Sequence, residues 1–112
     1  MNLYILDTDH LSLWQRGNNS LLKKLSSVPP NHVATTVINV EEQMQGRLAQ
    51  LKRAKDKQQM VIFYGYFLQT KKLLCQVPVL PFSEDATQRF FALKEEKTKV
   101  GTQDLKIAAV AL

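Results

Sequence analysis

Leu3-Tyr4-Ile5-Leu6 runs directly into Asp7-Thr8-Asp9, and this junction constrains the fold more than any other stretch of the chain. Four aliphatic and aromatic residues in a row suit a strand buried on both faces, the kind found in parallel sheets covered by helices. Such a strand delivers Asp7 to its carboxyl end. In open parallel α/β sheets the crevice beyond those ends is where ligands bind, because loops and helix starts converge there.

The rest of the chain alternates as an α/β protein should. Thr8 is placed to cap a first helix, with Leu11, Leu13 and Trp14 facing inward and Gly17-Asn18-Asn19 stopping it. A second helix carries Leu21, Leu22 and Leu25 and ends before Pro29-Pro30-Asn31, which leads into a strand at His32-Val33-Ala34-Thr35. From Thr36 to about Ala54, Val37, Val40, Met44, Leu48 and Leu51 recur at helical spacing and predict the buried face, with Glu41, Glu42, Gln45 and Arg47 on the polar flank. Met60 to Leu74 predicts a further helix, antiparallel to the previous one, with Val61, Tyr64 and Leu68 facing in. Val77-Pro78-Val79-Leu80 reads as a third strand, and Pro78 suits a sheet edge. Ser83 is an N-cap candidate for a helix from Glu84 to about Lys97, which buries Phe90, Phe91 and Leu93 to different degrees. Val100-Gly101-Thr102 then opens a last helix, Gln103 to Leu112, apolar nearly all round and so expected between the sheet and its neighbours. A buried crossover helix normally feeds another parallel strand.

At 112 residues the chain suits one layered domain, residues 1–112, with a real core. Fifteen Lys and Arg against ten Asp and Glu give a formal charge of +5, which suits a polyanionic partner such as RNA. Cys75 is the sole cysteine, so a disulfide framework and a thiolate metal cluster are excluded and a reducing cytoplasm is the expected location. Asp7 and Asp9 interrupt the first apolar run, which argues against a secretory signal, and the run from Met60 to Leu68 is broken by Gly65 and too short for a bilayer. The expectation is a soluble protein without a membrane partner.

Three acids sit where an α/β sheet would bring them together: Asp7 ending the first strand, Glu42 in the helix after the second, and Asp104 in the first turn of the last helix. Carboxylates clustered without basic partners repel one another, an arrangement that a divalent cation neutralises. Oxygen ligands select a hard ion, Mg²⁺ or Mn²⁺.

The segments that carry these acids are Leu-Asp-Thr-Asp-His-Leu-Ser (Leu6 to Ser12), Val-Glu-Glu-Gln-Met-Gln-Gly (Val40 to Gly46) and Gly-Thr-Gln-Asp-Leu-Lys-Ile-Ala-Ala (Gly101 to Ala109). In order and spacing they resemble the three successive motifs of PIN-domain proteins, in particular the VapC-type toxins of bacterial toxin–antitoxin pairs. The resemblance implies a PIN-like α/β/α sandwich with a mostly parallel sheet, and a metal-dependent endoribonuclease using Mg²⁺ or Mn²⁺. It makes Asp7 the central metal ligand, Thr8 the hydroxyl that orders the site and its water, Glu42 the acid four residues before Gly46, and Asp104 the third acid. Glu41 stands where the family has a small residue, so Glu41 and Glu42 compete for the second position. Proteins of this kind continue into a further strand and a fourth acid, so the resemblance leads us to expect a sheet short of its last strand and a domain incomplete at its C-terminus. It also implies an RNA substrate cut to a 3′-hydroxyl and a 5′-phosphate, a homodimer, and a cognate antitoxin whose C-terminal segment occludes the acidic pocket.

Plainer readings stand beside each of these. Asp7 suits a helix cap, Glu41 and Glu42 a solvated helix face, and Asp104 a first-turn residue favoured by the helix dipole. His10 lacks a second histidine at ligand spacing, Cys75 reads as a packed small hydrophobe, and Lys52, Arg53, Lys55 and Lys57 as a solvated face with phosphate contact as the alternative. Trp14 and the group Phe63, Tyr64, Tyr66 and Phe67 suit core or dimer contact better than base stacking. Strand-Asp-x-Asp also opens haloacid-dehalogenase-type phosphatases, but Leu11 stands where those need threonine or valine and the chain is too short for their later residues. The remaining alternative is a shortened, catalytically impaired toxin-like protein that binds antitoxin or dimerises without cleaving RNA.

Overall fold

The computed structural model of the chain describes residues 4–96 and 101–111. Leu3, Lys97, Val100 and Leu112, expected as a strand start, a helix end, a break and a helix end, lie outside the described residues. In chain order the elements are β1 (Tyr4–Leu6), α1 (Thr8–Gln15), α2 (Asn19–Ser26), a 3-10 turn at Pro30–His32, β2 (Val33–Thr36), α3 (Val37–Lys52), α4 (Lys57–Leu74), β3 (Val79–Leu80), α5 (Glu84–Glu95) and α6 (Thr102–Ala111).

Local chemistry sets these boundaries. The side chains of Asp7, Asn18, Thr36, Asp56 and Ser83 each accept a hydrogen bond from the amide three residues on, satisfying one of the donors that a helix start leaves unpaired. The cap of α1 is therefore Asp7, and Thr8, expected in that role, is the first helical residue. Gly17 ends the first helical unit with φ of 70°, a left-handed conformation that glycine adopts without a Cβ penalty.

The sheet has the order β1-β2-β3 and both pairings are parallel, Tyr4 opposite Val33 and Thr35 opposite Val79. Central β2 is buried along its whole length. β3 is shorter than expected, two residues at the sheet margin, while the Pro78 carbonyl still accepts from the Thr35 amide at 2.9 Å. Helices cover both faces, giving an α/β/α sandwich. Leu6, Leu11, Val33 and Leu73 form one apolar cluster, with Trp14 and Leu25 packed against it. Ile38, Ala86 and Val110 form another with Leu80, and Phe90, Leu105 and Ala109 pack together nearby. The Arg89 Nε donates to the Ala109 carbonyl at 2.7 Å, tying α5 to the end of α6.

Two helices turn differently from their apolar spacing. On α3 the buried side chains are Ile38, Asn39 and Gln43, and Leu48 is exposed. On α4 Thr70 and Leu73 are buried, while Val61, Tyr64 and Leu68 face outward. The polar side chains go inward because each finds hydrogen-bond partners there, which removes the cost of desolvating them. The longer apolar residues are left on an outer face. Phe91 and Cys75 are likewise exposed, and the last helix buries one face only, Leu105, Ala109 and Val110. Among the described residues no helix is long and apolar enough to cross a membrane.

Leu11, fully buried in the first cluster, gives a direct test of this core. Leu11→Ala leaves a cavity between α1 and the sheet and is expected to lower unfolding free energy by about 2–5 kcal/mol, read from the shift in urea midpoint.

Candidate functional site at the carboxyl edge of the sheet

The last carbonyl of β1 organises the edge. Leu6 O accepts from Thr35 Oγ1 at 2.7 Å and from Asn39 Nδ2 at 3.3 Å, both buried. Asn39 Nδ2 also donates to Thr36 Oγ1 at 3.0 Å, so its amide is oriented and its Oδ1 is turned to accept from Thr8 Oγ1 at 3.1 Å. Thr8 Oγ1 lies equally 3.1 Å from Glu42 Oε1. One hydroxyl proton is therefore held between an amide oxygen and a carboxylate. Gln43, one residue on, donates to the Thr8 carbonyl at 3.1 Å and to Ser12 Oγ at 3.2 Å, pinning the start of α1 on α3.

Asp7 lies beside this pair on the chain. Its Oδ1 accepts from the His10 amide at 2.9 Å and faces His10 Nδ1 at 2.7 Å. Burial opposes the charged form of Asp7, but the His10 amide, the His10 ring and its charge, and the Asp9 amide outweigh it, so the carboxyl titrates below its ordinary value of 3.8. Oδ2 of Asp7 and Oε2 of Glu42 make no protein hydrogen bond among the described residues.

A groove of about 580 Å³ opens from Thr8 and Glu42 and runs along α1, α3 and α4 past Gly46 to Arg16, Arg47 and Arg53. Its floor is polar. Gln15 Nε2 donates to Gln43 Oε1 at 3.0 Å, and Gln15 Oε1 accepts from Thr70 at 2.9 Å and from Arg47 Nη2 at 2.8 Å.

Solved structures share this architecture. A chain from a toxin–antitoxin complex of Klebsiella pneumoniae superposes with a TM-score of 0.68 at 25% identity, covering 96% of this chain and 77% of that one. FitAcB from Neisseria gonorrhoeae gives a TM-score of 0.70 at 21% identity over 97% of this chain and 80% of that one. This is the PIN-like fold of toxin–antitoxin proteins. A third chain with the PIN-like fold, from VapBC2 of Rickettsia felis bound to a fragment of promoter DNA, gives 0.63 at 21% identity over 97% of this chain and 79% of that one. No family model matches the sequence and no curated protein matches it.

Within the PIN-like edge the motif residues are placed unequally. Thr8 and Glu42 meet, and Asp7 adjoins them through the backbone. Glu41 is turned elsewhere, its Oε1 accepting from Gln103 Nε2 at 3.1 Å, so Glu42 is the acid that reaches Thr8. The same contact brings the first turn of α6, and with it exposed Asp104, against α3. Asp104 makes no hydrogen bond to Asp7, Thr8 or Glu42 among the described residues, and no group of three or more His, Cys, Asp or Glu there could hold a metal ion. A closed cage is not what Mg²⁺ requires, however: it retains waters and takes one or two carboxylates plus substrate phosphate. The unengaged oxygens of Asp7 and Glu42 fit that demand in donor chemistry.

Asn39, Gln43 and Gln15 belong to the site although apolar periodicity does not mark them. Two amides one helical turn apart, at positions 39 and 43, beginning directly after Ile38 are the available signal, since amides on an inward stripe are retained where they find partners.

Two predictions follow the geometry. Asn39→Ala removes one partner each from Leu6 O and the Thr8 and Thr36 hydroxyls, which keep Thr35, Glu42 and the residue-39 amide, and is expected to cost about 1–3 kcal/mol, read by chemical denaturation. Because the Asp7 carboxyl is depressed in the fold, its contribution is complete above its unfolded value and is lost as pH falls through the lower folded one. Stability measured from neutral pH downward should therefore fall in that acid window in the wild type and less steeply in Asp7→Asn.

Proposed function

We propose that this chain is the ribonuclease toxin of a toxin–antitoxin pair, with the edge formed by Asp7, Thr8 and Glu42 as its cleavage site. The 3.1 Å contact between Thr8 and Glu42 carries the reading, because it unites two of the three motifs at the carboxyl end of β1. Mg²⁺ or Mn²⁺ would be held by Asp7 and Glu42, with Asp104 as the third acid from α6. Bound there, such an ion supplies a water of lowered pKa and offsets charge growing on the phosphodiester oxygens.

The chain's own residues prepare that chemistry. Asn39 fixes the Thr8 rotamer, and the Thr8 hydroxyl orients Glu42. His10 and the Asp9 amide favour the ionised form of Asp7, the form that can ligate a cation. The substrate we assign is RNA, left with a 3′-hydroxyl and a 5′-phosphate.

The antitoxin follows from the neighbours, whose chains come from toxin–antitoxin complexes. On this chain the surface we assign to it is the outer apolar face of α4, with Val61, Tyr64 and Leu68 exposed. Apolar side chains grouped in this way mark partner surfaces.

RNA cleavage with Mn²⁺, with chelator, and by Asp7→Asn tests the reading. Cleavage is expected from the wild type with metal, with a loss of at least about a hundredfold on chelation or in the variant. Equal cleavage in all arms removes the assignment of Asp7. A second reading, antitoxin binding without cleavage, is favoured by the lack of a three-acid group among the described residues; it predicts no metal-dependent cleavage in any arm.

A further inference from the structure

The groove that leaves the acidic edge carries three arginines against one carboxylate, Glu42, which lies at its mouth. Arg47 is the most defined of them. Its Nε donates to Thr70 Oγ1 at 2.9 Å, Nη1 to Gln50 Oε1 at 3.1 Å and Nη2 to Gln15 Oε1 at 2.8 Å, and the guanidinium lies 5.2 Å from the centroid of the Tyr66 ring. A guanidinium has five N–H donors, so one on Nη1 and one on Nη2 are left over. Every protein acceptor is neutral, and no carboxylate pairs with Arg47 among the described residues. The protein thus fixes a cation rigidly without neutralising it, two donors to spare. That combination suits a phosphate, whose oxygens match the planar fork of arginine.

Gly46 adds a second, independent sign. It lies inside α3, where glycine costs about 1 kcal/mol relative to alanine, yet a Cβ built there meets nothing within 4 Å. Packing within the chain does not require the glycine. It lines the groove between Glu42 and Arg47, and its missing side chain widens the passage from the acids to the cation.

We propose that this groove binds the backbone phosphates of single-stranded RNA next to the cleaved bond, with Arg47 as the fixed cation and Arg16 and Arg53 as exposed cations beside it. The proposal rests on the ribonuclease reading and gives its site a direction: the strand crosses Thr8 and Glu42, passes Gly46 and lies along the arginines. An acidic peptide would also meet the arginines, but continuity with the acidic edge favours a ligand that brings phosphate to both ends of the groove. Bare Glu42 repels phosphate and carboxylate alike; what favours RNA is that the groove leads to the edge proposed to cut a phosphodiester, and that the planar arginine fork matches phosphate oxygens.

The test is binding of a fluorescent single-stranded 2′-O-methyl RNA, which lacks the attacking hydroxyl of self-cleaving RNA and is read by anisotropy in chelator over a range of salt. The variants are Arg16→Gln with Arg53→Gln, which alter exposed side chains, and Gly46→Leu, which fills the passage without touching charge. Lys23→Gln with Lys24→Gln on α2, outside the groove, is the control, and thermal melts confirm that each variant folds. The arginine pair is expected to weaken binding by about tenfold and to flatten the dependence of log affinity on log salt by about 0.7 per lost phosphate contact. Gly46→Leu is expected to weaken binding with the salt slope nearly kept, and the lysine control to match the wild type. Unchanged binding in both groove variants overturns the proposal, as does tighter binding of poly-glutamate than of RNA at equal charge. The cleavage assay separates the two layers: RNA cut by the wild type but bound without regard to the groove sinks the groove alone, whereas neither binding nor cleavage sinks the ribonuclease reading with it.

Discussion

A buried carbonyl, Leu6 O, sets the terms for the rest of the structure. It ends a short strand in the interior, where an unpaired acceptor costs free energy comparable to a lost hydrogen bond. Thr35 from β2 and Asn39 from α3 both donate to it, so the strand end, the neighbouring strand and the following helix are joined at one atom. The remaining side-chain groups of Asn39 then act on Thr36 and Thr8. What orders the acidic edge is thus a structural need of the sheet, and the position of Glu42 is its consequence.

Polar satisfaction also explains why the two long helices turn as they do. Thr70 on α4 and Gln43 on α3 are buried, yet no buried side-chain nitrogen or oxygen lacks a partner among the described residues. The chain of contacts from Ser12 through Gln43, Gln15 and Thr70 to Arg47 joins α1, α3 and α4. Such a layer specifies one relative placement of three helices, because a slip of either partner would strand several groups at once. The apolar outer face is its complement: side chains that the polar layer excludes from the interior remain available to another molecule.

Much of the architecture was legible. The order of strands and helices, the marginal place of Val79–Leu80 and the Ser83 cap follow from apolar runs, proline and capping chemistry, all of which act locally. The faces of α3 and α4 were not, because apolar periodicity ranks Leu48, Val61 and Leu68 above Asn39, Gln43 and Thr70. Only a partner on another element reverses that ranking, and partners cannot be read from spacing. The same limit divides the site. Asp7, Thr8 and Glu42 were legible as a motif and two of them touch, whereas the first turn of α6 reaches α3 through Gln103 and Glu41, a pairing that no motif contains. Asp7 as a cap and Asp7 as a ligand do not exclude each other, because a carboxylate has two oxygens: Oδ1 caps α1, and Oδ2 is unengaged among the described residues.

The all-parallel sheet has a kinetic corollary. Tyr4 finds its partner only at Val33, and Thr35 finds its own only at Val79, so each ladder closes over a whole crossover and none can zip from a tight hairpin. Loop-closure entropy must be met before either pairing returns any free energy, which slows folding relative to local topologies. During synthesis the helices between the strands can form as they emerge, but β2 gains its second neighbour only after Leu80 has been made. Between the synthesis of Thr36 and that of Leu80 the nascent chain therefore carries its central strand half paired, although every residue that orders the acidic edge around Thr8 and Glu42 has by then been made.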